Sequence, residues 1–132
     1  MMRVKYPRTP HLPWSPGATE DDIHQGNLSC FANKQVVVTE KMDGENTTIY
    51  SDFVHARSID SRFHPSRTWV KALQAELGYK IPQGWRICGE NLYARHSISY
   101  ESLASYFMAF SLWNENNECL SWQDSKQFFA QL

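Results

Sequence analysis

From Gln35 onward, short runs with strand character are broken by a single helical stretch before β character resumes, and this order restricts the fold more than any other feature of the chain. The β-type runs are 35–40 (QVVVTE), 46–51 (NTTIYS), 53–59 (FVHARSI), 85–94 (WRICGENLYA) and 106–113 (YFMAFSLW). Turns are expected at MDGE (42–45) and at 114–117 (NENN), and Gly84 opens the fourth run. Between the third and fourth runs, Pro65 and Ser66 precede a stretch in which Trp69, Val70, Leu73 and Leu77 share one helical face, with Gly78 as the expected C-cap. Ser121 with Asp124 three residues later marks a capped final helix that turns Phe128 and Phe129 inward. Strands, helix, strands, helix implies an α+β fold, with mainly antiparallel sheets and flanking helices.

The lead-in differs. Pro7, Pro10, Pro13 and Pro16 followed by Gly17 predict an extended wrap, and Thr19 is placed to cap a short helix through Glu20, Asp21 and Asp22. The expected organisation is therefore one domain over 1–132, with a proline-rich lead-in (1–34) and a core (35–132).

Composition narrows the class of protein. Apolar residues make up 42% and charged residues 20%, an ordinary globular balance without a disorder signature. A net charge of −1 gives no global attraction to nucleic acid, so phosphate binding would need local patches such as Arg3/Lys5/Arg8 or Arg57/Arg62/Arg67. Taken singly, each patch reads as solvated surface. Cys30, Cys88 and Cys119 are odd in number and form no CxxC pair, which argues against zinc and disulfides and for a reducing, cytoplasmic setting. MMRVKYPRTP has no signal-peptide core, and no apolar run suggests a membrane span. His55, His64 and His96 do not have the spacing of a metal site, so no metal ligands are expected.

The informative segment is Glu40-Lys41-Met42-Asp43-Gly44-Glu45. KxDG alone is compatible with a charged hairpin turn tipped by Asp-Gly. Taken with Arg57 in HARSID, Glu90 in RICGENLYARHS and Phe110 in YFMAF, it resembles the covalent nucleotidyltransferases: RNA ligases, DNA ligases and capping enzymes. GENLYARHSISYESLASYF and FSLW are most similar to bacterial and phage RNA ligases. The resemblance spans roughly 35–113, with a weaker likeness in TPHLPWSPG.

That resemblance implies an incomplete nucleotidyltransferase (ATP-grasp-like) domain using ATP and Mg2+. Lys41 would form lysyl-AMP, with Asp43 and Gly44 shaping its loop. Arg57 would stand near the phosphates, Glu90 would accept from a ribose hydroxyl, Phe110 would stack on adenine, and Glu40 would help recognise the base. The substrate would be RNA with 5′-phosphate and 3′-hydroxyl ends. A lysine amine attacks phosphorus only when unprotonated, and its ordinary pKa is about 10.4, so such a site must disfavour the charged form through burial, a nearby cation or a metal ion. The later glutamate-glycine and K-x-K elements of these enzymes are absent, and Lys126 is the sole lysine after position 80. The chain is thus expected to be the N-terminal part of an adenylyltransferase domain, self-associating or completed by another polypeptide. The alternatives are a non-catalytic binder of nucleotide or RNA ends, and a DNA ligase or capping-type enzyme.

Overall fold

In the computed structural model, residues 3–16, 19–59, 64–94, 100, 103 and 105–132 are described. They form two compact units, one of Met1–Tyr6 with Lys41–Leu132, the other of Pro7–Glu40.

The first unit is built on strands β1 (Glu45–Ile49), β2 (Val54–Ala56), β3 (Arg86–Asn91) and β4 (Phe107–Trp113), with helices α1 (Thr68–Leu77) and α2 (Trp122–Phe129). The sheet order is β2-β1-β3-β4 and every pairing is antiparallel. The α+β expectation is met. Side-chain alternation divides the sheet into two chemically different faces. On one face Ile49, Ile87 and Leu112 form a core with Val70 of α1 and Ile81, and Phe128 and Phe129 of α2 pack against it. On the other, Thr48 lies between Cys88 and His55 in register, Cys88 lies opposite Ser111, and Asn46 lies opposite Glu90. Full burial of an Ile or Leu contributes about 1.5–3 kcal/mol, whereas a neutral hydrogen bond contributes about 0.5–1.5 kcal/mol. The apolar face therefore fixes the register, and the polar face follows from it.

Residues 3–6 are laid against the polar side. The Val4 amide donates to the Tyr50 hydroxyl at 2.8 Å, and the Arg3 guanidinium sits 3.7 Å from the centre of the Phe53 ring. Tyr50 in turn meets Nε2 of buried His55 at 3.0 Å, while Nδ1 of His55 lies 2.6 Å from the Ala56 carbonyl. A carbonyl can only accept, so Nδ1 carries the proton and Nε2 accepts from Tyr50. His55 is thus a structural histidine held neutral.

Two local expectations are corrected. Residues 35–40 form no strand: Val36, Val37 and Val38 are exposed, Val38 to 89%, and the MDGE segment is consequently not a hairpin tip. β-Propensity is realised only where a neighbouring strand and a buried face exist to receive the side chains, and here 35–40 has neither. Thr19 does not cap a helix. The Asp22 carboxylate instead accepts from the Thr19 amide at 2.8 Å and its hydroxyl at 3.2 Å, closing a turn. Gly78 is the C-cap of α1 as expected, in right-handed helical geometry (φ −54°). Its lack of a side chain is needed because a Cβ there would run into the Ser51 carbonyl oxygen. Ser121 behaves as expected, its hydroxyl accepting from the Asp124 amide at 3.1 Å to cap α2.

In the Pro7–Glu40 unit, His11 and His24 form an isolated parallel bridge, with the His11 amide donating to Ile23 O and the Gln25 amide to His11 O, both at 2.7 Å. Arg8 donates to the Asp21 carbonyl at 2.6 Å.

Two outcomes follow. Gly78→Ala, normally a helix-favouring change, lowers stability by about 1–3 kcal/mol because the added methyl has no room, read from the urea unfolding midpoint. Burial pushes the His55 imidazole below its ordinary range, with the Ala56 hydrogen bond opposing and the charges of Arg3 and Arg86 adding to the shift. The unfolded chain therefore takes up a proton first. The contribution of neutral His55 is complete above about pH 6.5 and is lost as pH falls from there towards the lowered folded value. Between pH 7.5 and 5.5 the unfolding midpoint should fall more steeply for the native chain than for His55→Gln.

Candidate functional site

Antiparallel pairing brings the entrance to β1, the end of β2, the end of β3 and the start of β4 to one end of the sheet. Lys41–Gly44 enters β1 at that end. The Gly44 amide donates to Oε1 of Glu90 at 3.2 Å, joining two segments 46 residues apart, and the Asp43 amide donates to the Tyr100 hydroxyl at 2.8 Å. Gly44 is required for closeness, since a Cβ would lie 2.5 Å from Asn91 O and 2.7 Å from Leu92 Cδ2.

Glu90 belongs to the polar face through its pairing with Asn46 and Met108. The Asn46 side-chain oxygen beside it is buried and has no hydrogen-bond partner among the described residues. Phe110 owes its position to an irregularity in β4. Ala109 pairs with Gly89 and Ser111 with Cys88, so Phe110 is the extra residue of a bulge. The edge-on ring of Tyr6 meets it at 5.4 Å and 77°. Burial pushes the Tyr6 phenol above its ordinary range, the negative charge of Glu90 adds to this, and a hydrogen bond with Ser111 opposes it. Tyr6 thus packs edge-on against Phe110 and feels the charge of Glu90.

The remaining candidates are less enclosed. Lys41 is exposed, and Arg57 is exposed immediately past the last residue of β2, at the same sheet end. Glu40 is the exposed last residue of the Pro7–Glu40 unit. Glu45 is engaged by Arg67 rather than Arg57: Nε donates to Oε1 and Nη2 to Oε2, both at 2.8 Å. Arg62, Asp60 and His96 lie outside the described residues. His64 accepts from the Ser66 amide at 3.2 Å at the turn preceding α1. Among the described residues no three His, Cys, Asp or Glu are grouped to hold a metal ion. Burial raises the Cys88 thiol above its ordinary range, despite hydrogen bonds to Thr48 and Ser111, and keeps it protonated. A hollow of about 400 Å³ lies between β2 and α1, and one of about 230 Å³ beside Arg86 and Asn117. Neither is lined by Lys41, Glu90 or Phe110.

The sequence did not single out Tyr6, Tyr100 or Asn46. Their roles arise from contacts across 57 residues in the case of Tyr100, and no local spacing signals such a contact.

These observations define an α+β domain in which a lysine-bearing loop is hydrogen-bonded to a glutamate of the central sheet. The chain belongs to the RNA ligase family, whose model matches residues 34–132. No curated protein and no solved structure matches it. No described helix is long and apolar enough to cross a membrane.

Gly44→Ala should lower stability by about 1–3 kcal/mol, because the Cβ displaces the loop from β3 and breaks the bond to Glu90. The urea midpoint measures this, and an unchanged midpoint would show that the loop is not held as described.

Proposed function

We propose that this chain is an ATP-dependent RNA ligase, or the N-terminal portion of one, with residues 35–132 belonging to a nucleotidyltransferase domain. The observation that carries the reading is the Gly44–Glu90 hydrogen bond, which brings the KMDG loop against the GEN segment. Two motifs that resemble the family's separately in sequence meet here in space.

In the proposed reaction the Lys41 amine, after losing its proton, attacks the α-phosphorus of ATP. A P–N bond forms, the bond to the β-phosphate oxygen breaks, and pyrophosphate leaves. A 5′-phosphate oxygen of RNA then takes the adenylyl group, restoring the lysine. Finally a 3′-hydroxyl attacks the activated phosphate, AMP leaves, and the strand is closed. Arg57, at the same sheet end as Lys41, supplies positive charge for the phosphates. Glu90 accepts from a ribose hydroxyl, Phe110 offers a ring face to adenine, and Glu40 contributes to base recognition. Asp43, tied through its amide to Tyr100, and Gly44 hold the loop. Magnesium would accompany the triphosphate and neutralise its charge.

A second reading is favoured by the exposure of Lys41, which lines neither hollow: the chain binds nucleotide or RNA ends without covalent chemistry. Incubation with α-labelled ATP and magnesium, followed by denaturing electrophoresis, separates the two. The expected result is labelled protein that disappears in Lys41→Ala, with ATP outcompeting GTP. A folded chain that binds ATP but takes no label supports the second reading. Label that survives Lys41→Ala removes Lys41 as the nucleophile.

A further inference from the structure

Trp69, which packs against the core, forms with Tyr93 and Tyr106 a cluster outside the proposed nucleotide site. Trp69 and Tyr93 are parallel within 5° at 6.4 Å, and Tyr106 stands edge-on to each at 5.4 Å. Tyr93 and Tyr106 nevertheless remain 51% and 44% exposed. The backbone beneath them is fixed. The Leu92 amide donates to Tyr106 O at 2.6 Å, the Tyr93 amide donates to Oδ1 of buried Asn91 at 3.1 Å, and the Asn91 amide group reaches Ser66 O at 3.4 Å. Asn91 thereby ties the tyrosines to the entrance of α1. This is a hydrogen-bonded, solvent-facing aromatic surface.

Its surroundings favour an anionic occupant. α1 has no acidic residue in its first turn, although the Glu45 carboxylate is bonded to Arg67 immediately before it. The cluster also sits at the sheet end where Lys41–Gly44 enters. In strand order, Arg57 lies on the β2 side of that loop and Tyr93 and Tyr106 on the β3–β4 side. A strand crossing this end would meet a cation, then the lysine loop, then exposed rings. Flat aromatic faces beside positive charge are the means by which single-stranded nucleic acids are held without reading sequence. Tyrosine suits such a surface better than an aliphatic residue, since its ring stacks while its hydroxyl stays in water.

We propose that Tyr93 and Tyr106, backed by Trp69, form a stacking platform for an unpaired base of the RNA strand whose end is brought to Lys41. This rests on the RNA ligase reading and extends it to a base-stacking subsite for the strand that bears the 5′-phosphate. Stacking on an aromatic ring is worth about 1–3 kcal/mol per base, corresponding to roughly 5- to 150-fold in affinity.

The test uses the full chain and a 5′-phosphorylated single-stranded RNA carrying 2-aminopurine near its phosphate. Binding is followed by anisotropy, stacking by quenching of the base, and Lys41 labelling by ATP is measured separately. Tyr93→Phe and Tyr106→Phe should keep affinity and quenching. Tyr93→Leu and Tyr106→Leu keep apolar bulk but lose the ring, and should weaken binding at least fivefold and abolish quenching, with Lys41 labelling unchanged. Unchanged RNA affinity in the leucine variants overturns the proposal, as does absence of quenching in the native chain. A shift in oligomeric state with RNA binding intact also overturns it and identifies the surface as a contact between copies. Because labelling needs no RNA, failure of the platform is distinguishable from failure of the lysyl-AMP reading.

Discussion

The β1–β3 pairing imposes one register on two different jobs. Opposing Ile49 to Ile87 places their side chains in the core, and the same register sets Asn46 opposite Glu90 on the polar face. A slip of one residue would carry Thr48 into the oil and Ile49 onto the polar side. The energetic weight lies with the apolar contacts, so the polar arrangement is inherited from hydrophobic packing. The Gly44–Glu90 hydrogen bond is too weak by itself to set a register, yet it depends on that register being held.

Around this pairing the chain spends its polar groups at the sheet end. Arg67 and Glu45 make a two-pronged bond, Asn91 links β3 to the start of α1, and Tyr100 receives the Asp43 amide. Each connects a segment of irregular backbone to a regular element. The opposite face of the sheet is closed by side chains of both helices, while the polar face is met by residues 3–6 through Val4 and Tyr6. Thr48, Cys88 and His55 beneath are satisfied within the fold: burial keeps His55 neutral and Cys88 protonated. Of the side chains on that face, Glu90 and Phe110 are the ones that the family resemblance connects to a nucleotide.

Much of the fold was legible because it depends on local pattern. Trp69, Val70 and Leu73 at helical spacing gave α1, Ser121 with Asp124 gave the cap of α2, and the runs around Ile49, Ile87 and Leu112 gave three strands. The valines at 36–38 show where pattern misleads. Their β-branched side chains carry strand propensity, but no neighbouring strand receives them. Gly78 is a related case: its position at a helix end was readable, but the reason for glycine is the Ser51 carbonyl, 27 residues earlier in the chain.

The same division holds at the candidate site. By itself the sequence determined the kinds of residue available, the KMDG and GEN strings, and their family resemblance, because chemical identity and local spacing are written in order along the chain. Tertiary structure alone decided that Gly44 donates to Glu90, that Glu45 is taken by Arg67 and not Arg57, that Phe110 stands out at a bulge against Tyr6, and that Trp69, Tyr93 and Tyr106 meet at the surface. Those outcomes depend on sheet register and on contacts between distant segments. Register is set by packing the whole apolar face at once, and no short stretch of sequence contains that information.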